Sequence, residues 1–143
     1  MGFKLGMNAI INYCAAGSGG SPSWSELENV KDVTLNVEKA EADVTTRGNN
    51  GWRAVVGTLK EGTVEFQMVW DTGNAGFTAI KDSFLENTVI GLQVLDEEDG
   101  EGLQGDFMIT NFSRTEPLEE AIMVSVTAKL TYSATAPVWV EPD

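Results

Sequence analysis

Gly62-Thr63-Val64-Glu65-Phe66-Gln67-Met68-Val69-Trp70 alternates in character from one residue to the next. In an extended chain Val64, Phe66, Met68 and Trp70 point one way, and Thr63, Glu65, Gln67 and Val69 point the other. The same period returns in Asp32–Glu38, where Val33, Leu35 and Val37 alternate with Thr34 and Asn36. It returns again in Ile122–Tyr132, where Ile122, Val124, Val126, Ala128, Leu130 and Tyr132 alternate with Ser125, Thr127, Lys129 and Thr131. Such strands bury one face of a sheet and offer the other to water or to a partner. The fold is therefore mainly β.

Outward from these strands, Met7–Cys14 reads as a first strand running into a Gly/Ser/Pro-rich loop, Ala15–Ser25. Lys39–Trp52 reads as a long loop, with Gly48-Asn49-Asn50-Gly51 as a turn because Gly and Asn tolerate positive φ. Arg53–Leu59 is expected as a strand, with Lys60-Glu61-Gly62 a tight connection into the next. Asp71–Asn74 breaks the alternation and offers helix N-caps. Phe77, Ile80, Phe84 and Leu85 then fall at helical spacing, with Phe77, Ile80 and Phe84 as the anchors to a sheet and Asn87 as the stop. Val89–Leu95 and Leu103–Phe112 form a long hairpin with a charged tip, Asp96–Glu101. The stretch 133–143, with Pro137 and Pro142, is expected to be a mobile tail unless a neighbour holds it. The pattern predicts a single domain over 1–143: a β-sandwich or barrel with one flanking α-helix, a long loop and a long hairpin.

Composition narrows the function. The chain has 143 residues, long enough for one self-supporting core. Twenty-two acidic residues against nine basic ones give a formal charge of −13. That opposes any surface built to grip phosphates, which needs clustered Lys and Arg; it also serves solubility. Cys14 is the one cysteine, so no intrachain disulfide can form. Asn8 and Asn12 interrupt the apolar run near the N-terminus, so no export signal, membrane anchor or spanning segment is expected, and cytoplasmic synthesis is.

Chemistry is scarce. With no histidine, a Ser-His-Asp or Cys-His arrangement and any histidine-bound metal are impossible. Cys14 lies in a strand-like run and reads as a small buried hydrophobe. No glycine-rich loop ends in Gly-Lys-Ser/Thr. The acidic run Asp96–Glu101 fails the calcium-loop spacing, because Met108 stands where the closing glutamate is required. It reads as a solvated hairpin tip. No catalytic residue, metal or cofactor is expected.

Several segments together resemble a tailed-phage major tail tube protein, a family related to the tubes of contractile injection systems. They are Trp24-Ser25-Glu26-Leu27 leading to Asn29–Leu35, Glu41–Gly48, Gly57–Val64, Trp70–Asn74 and the closing Val124–Ala136. The resemblance implies a structural virion protein of the tail, assembled in the host cytoplasm, whose hexameric rings stack into a hollow tube. DNA would pass through the bore as cargo without being specifically bound, and other tail proteins would be partners. It also implies that Thr34, Asn36, Glu65, Gln67, Ser125 and Thr127 are candidates to face the lumen. The loop Lys39–Trp52 would be an arm reaching a neighbour, with Arg47, Asn49, Asn50 and Trp52, and Trp24 outside it, as candidate subunit contacts. The alternative from another class is a monomeric β-sandwich binding module that stacks sugars on exposed Trp24, Trp52 and Trp139.

Overall fold

A computed structural model describes residues 6, 9–19, 22–116, 118–119, 121–131 and 133–141. In chain order the elements are β1 (Ile10–Cys14), β2 (Ser25–Glu26), β3 (Val30–Asp43), a 3₁₀ turn (Arg47–Asn49), β4 (Val55–Val69), α1 (Ala75–Glu86), β5 (Ile90–Leu95), β6 (Gly102–Thr115), β7 (Met123–Leu130) and β8 (Val138–Val140). They form one antiparallel sheet in the order β2-β1-β5-β6-β7-β4-β3, with β8 added on β6. The turning point is β6. Phe107 pairs with Ile90 of β5 on one edge and with Leu130 of β7 on the other. Before it β6 runs with β5 and β8, and after it with β7, so the strand belongs to both halves of a sheet that folds over its own core.

The alternation in β4 fills that core. Val64, Phe66 and Met68 are buried with Val124, Val126 and Ala128 of β7, Phe107 and Ile109 of β6, and Ile90 and Leu92 of β5. Helix α1 closes the core from one side. Asn74 caps its first turn by accepting a hydrogen bond from the Phe77 N–H at 2.9 Å, and Asn87 ends it in the left-handed conformation at φ 62°. Phe77 and Ile80 are buried, and Phe77 meets Trp70 edge-on at 4.9 Å between ring centroids. Phe84 departs from the expected role of buried anchor. It sits at the rim, 36% exposed, stacked on Phe112 at 5.9 Å. Among the described residues no helix is long and apolar enough to cross a membrane.

Three sequence expectations change. The strand expected over Asp32–Glu38 is Val30–Asp43, with a register irregularity between Lys31 and Thr34 and Asp32 at φ 55°. The turn expected at Lys60-Glu61-Gly62 is the interior of β4, so the loop expected over Lys39–Trp52 shrinks to the residues between Asp43 and Val55. Gly62 is there for close packing: a Cβ at that position would sit 2.9 Å from Leu130 Cδ1 and 3.2 Å from Leu103 Cδ2. The C-terminal stretch does have a neighbour to hold it. Val138, Trp139 and Val140 pair with Gln104, Leu103 and Gly102 of β6. Residues 7, 8 and 132, assigned to strands from sequence, and Pro142 and Asp143 lie outside the described residues.

Asp106, buried on β6, joins the two ends of the chain. It accepts the Ser18 N–H at 2.6 Å and the Ser133 hydroxyl, which in turn accepts the Thr135 N–H at 3.1 Å. Burial is the largest single influence on the Asp106 carboxyl and works to raise its pKa. The hydrogen bonds from Ser133 and Ser18 together outweigh it and hold the carboxyl below its ordinary value. A depressed folded-state pKa stabilises the fold at neutral pH, and that stabilisation is lost as pH falls below about 3.9 through the lowered value. Asp106→Asn is therefore expected to lower the melting temperature at pH 7 and to narrow its gap to the parent protein towards pH 3. Parallel melting curves across that range for the two proteins would contradict this assignment.

Candidate assembly surfaces

The side of β3, β4, β7 and the second half of β6 that faces away from the core is polar through its middle rows, with Met108 opposite Lys129 at one margin and Val69 opposite Met123 at the other. Thr34 lies opposite Glu65, Glu65 opposite Thr127, and Thr127 opposite Asn111. The next row runs Asn36, Thr63, Lys129, and the row on the other side runs Lys31, Gln67, Ser125, Ser113. Thr34, Asn36, Glu65 and Thr127 line a shallow hollow of about 480 Å³ together with Glu38, Glu61, Thr63, Thr110, Asn111 and Lys129. All six residues named from sequence as lumen candidates thus share one face, Gln67 and Ser125 as its neighbouring row.

The sequence reading misses Glu61, because Lys60-Glu61-Gly62 has the composition of a turn. It also misses Thr110 and Asn111. These follow a run in which Leu103, Phe107 and Ile109 point inward, and the irregularity between Ile109 and Asn111 then turns Phe112 toward the core instead. Two polar residues in succession were the available signal.

Beyond Glu38 and Glu61 the β3–β4 hairpin leaves the sheet and is exposed on both faces, Gly62 being the first buried residue of β4. Val55 and Val56 are each 48% exposed and Leu59 is 81% exposed. The tip is closed by its own bonds. Val44 N–H donates to the Ala54 carbonyl, the Thr45 hydroxyl accepts the Ala54 N–H at 2.8 Å, and Asp43 accepts the Thr45 N–H at 2.8 Å. The Thr45 bonds hold the Asp43 carboxyl below its ordinary pKa. Arg47 opens the 3₁₀ turn, Asn49 closes it, Asn50 follows in the left-handed conformation and Trp52 stands 77% exposed. The Asn49 side-chain nitrogen is buried there without a hydrogen-bond partner among the described residues.

Trp24 does not join this group. It precedes β2 and lines a separate hollow with Asn12, Glu26, Gln93, Glu98, Asp99 and Glu141. Trp139 is on β8, where its indole N–H donates to Glu101. The tryptophans expected of a sugar platform thus lie on three different segments, Trp24 before β2, Trp52 at the hairpin tip and Trp139 on β8. No group of three or more described residues is placed to hold a metal ion, and Cys14 is buried with a free thiol.

A sequence model of the family described as "Phage tail tube protein" matches residues 8–134. The chain belongs to the phage tail tube protein family. It is a structural protein of the tail and not an enzyme. The fold agrees with that of a tail subunit from an empty gene transfer agent particle with C6 symmetry, at a TM-score of 0.78 and 19% identity, over 96% of this chain and 98% of that one. It also agrees with the SPP1 tail tube, at 0.71 and 16% identity over 99% of this chain and 81% of that one. A chain from the baseplate of the anti-feeding prophage is similar at 0.54 and 6% identity, over 92% of each chain. No curated protein sequence matches the chain significantly. This tail tube protein thus exposes a polar face and a projecting hairpin.

Proposed function

We propose that six copies of this protein close into a ring, that rings stack into a hollow tube, and that the polar face of β3, β4, β7 and β6 lines the bore. The observation that carries the reading is that β3, β4, β7 and β6 carry successive polar rows in register on one face, bounded by Met108 at one margin and by Val69 and Met123 at the other, while their other face forms the core. A protomer that lines a wet channel needs both faces at once. The sixfold symmetry of the similar gene transfer agent tail supports the stoichiometry. Glu38, Glu61 and Glu65 outnumber Lys129 in the hollow. A bore lined in this way repels phosphate, so a duplex passes as cargo without being captured. Assembly takes place in the host cytoplasm, with other tail proteins at the tube's ends.

Electron microscopy of the purified protein tests the reading: sixfold rings and tubes are expected. Each subunit carries −13, so assembly brings strongly like-charged bodies together. The Debye length shortens from about 30 Å at 0.01 M salt to about 8 Å at 0.15 M. Raising salt over that range, or lowering pH from 7 towards 5, should therefore shift subunits into tubes. Sedimentation as a strict monomer at high concentration across all these conditions would overturn the proposal.

A further inference from the structure

The stem of the projecting hairpin contains two cross-strand pairs of like charge. Glu38 lies directly opposite Glu61, and Lys39 directly opposite Lys60. Like charges at opposed positions destabilise a sheet, and successive residues of a strand face opposite ways. The hairpin therefore carries a glutamate pair on the face that continues the polar hollow and a lysine pair on the other. Neither lysine makes an ion pair or hydrogen bond with a described residue. The Lys39 stem is laid across Gly57, where any Cβ would collide with its Cδ. A hollow of about 450 Å³ opens at this point, lined by both lysines with Ala40 and Leu59, and by Glu38 and Glu61 at its edge.

The charge of the whole chain gives this pair its meaning. Residues 38–61 hold four of the nine basic residues and four of the twenty-two acidic ones, so the full −13 resides on the rest of the protein. The hairpin projects beyond the sheet, it is neutral overall, and its lysines are unpaired among the described residues. At the opposite end of the strand order, Glu26, Glu98, Asp99 and Glu141 line one hollow that no lysine or arginine among the described residues enters. We propose that the Lys39–Lys60 pair docks on this acidic hollow of another copy of the chain. The inference rests on the tube reading above and names the contact that links its subunits. Two different surfaces meeting head to tail are what a ring or a stack of rings requires. Charges in direct contact lie well within the ~8 Å Debye length, so salt that relieves the general repulsion leaves this contact in place.

The test compares polymerisation of four proteins by electron microscopy and sedimentation, with circular dichroism to verify folding. Wild type should form tubes. Lys39→Glu/Lys60→Glu should stay folded and need at least tenfold more protein to form tubes. Adding Glu98→Lys/Asp99→Lys to that variant should restore assembly, because the charges of the contact are then exchanged. Lys39→Gln/Lys60→Gln, which introduces no new charge, should show a smaller rise and serves in place of the reversal if that variant fails to fold. Wild-type behaviour of both lysine variants would overturn the inference and leave the tube reading standing. A loss of assembly that Glu98→Lys/Asp99→Lys does not restore would exclude the acidic hollow as the docking surface. A wild-type protein that never polymerises would overturn the tube reading itself, and this inference with it.

Discussion

Phe77→Ala is expected to cost about 3–5 kcal/mol of stability, as for a fully buried aromatic whose cavity the surroundings cannot fill. Phe77 is 1% exposed and lies where three parts of the fold meet: α1, Trp70 just past β4, and Phe112 of β6, whose ring centroid is 6.0 Å away. Domains of this kind hold only ~5–15 kcal/mol in total. At about 2–4 °C per kcal/mol, the melting temperature should fall by on the order of 10 °C, and soluble yield should fall with it. Phe84→Ala should cost far less, about 1–2 kcal/mol, because the ring is already 36% exposed and loses one stacking partner, Phe112. Thermal melts of the two variants side by side measure the contrast. Equal losses would mean that α1 is seated by its rim as firmly as by its centre.

That contrast marks how far helical spacing can be read. Phe77, Ile80 and Phe84 fall on one stripe of a helix, but period alone does not say how wide the sheet beneath is, and Phe84 overhangs its edge. The strands behave in the same way. Strict alternation in 62–70 and around Ser125 and Thr127 places the core and the polar face directly, because β4 from Gly62 onward and β7 are each buried on one side. Where a strand leaves the sheet, the rule loses its object: Val55, Val56 and Leu59 are exposed although their types favour burial. The hairpin was hidden for a second reason. Gly62 has the composition of a turn, yet its lack of a side chain answers the close approach of Leu130 and Leu103, two residues distant in sequence. Asn50 and Gly51, by contrast, are read correctly as the turn at its tip, since the need for positive φ is local: they have φ 53° and 86°. The C-terminal stretch was obscured by Pro137, which is compatible with an edge strand that begins at the next residue.

The tip of the hairpin should matter to assembly and not to folding. Arg47 and Trp52 are exposed, and the turn that carries them is closed by backbone bonds and by Thr45, Thr46 and Asp43, none of which needs either side chain. Arg47→Ala/Trp52→Ala is therefore expected to keep the melting temperature and circular dichroism of the parent. A two-stranded ribbon beyond its sheet is marginal by itself, and holding Val55, Val56, Leu59 and Trp52 in water has no benefit to a monomer. The benefit comes if a neighbouring subunit covers them. Arg and Trp anchors buried in an interface are each worth ~2 kcal/mol or more, which is about a thirtyfold change in affinity per contact at 1.4 kcal/mol per decade. In a tube that loss recurs at every subunit, so polymerisation should be abolished at concentrations where the parent forms tubes. Electron microscopy of the folded double variant decides the matter. Normal tubes would make the tip an ordinary surface turn and would leave the stem, with Lys39 and Lys60, as the part of the hairpin that joins subunits.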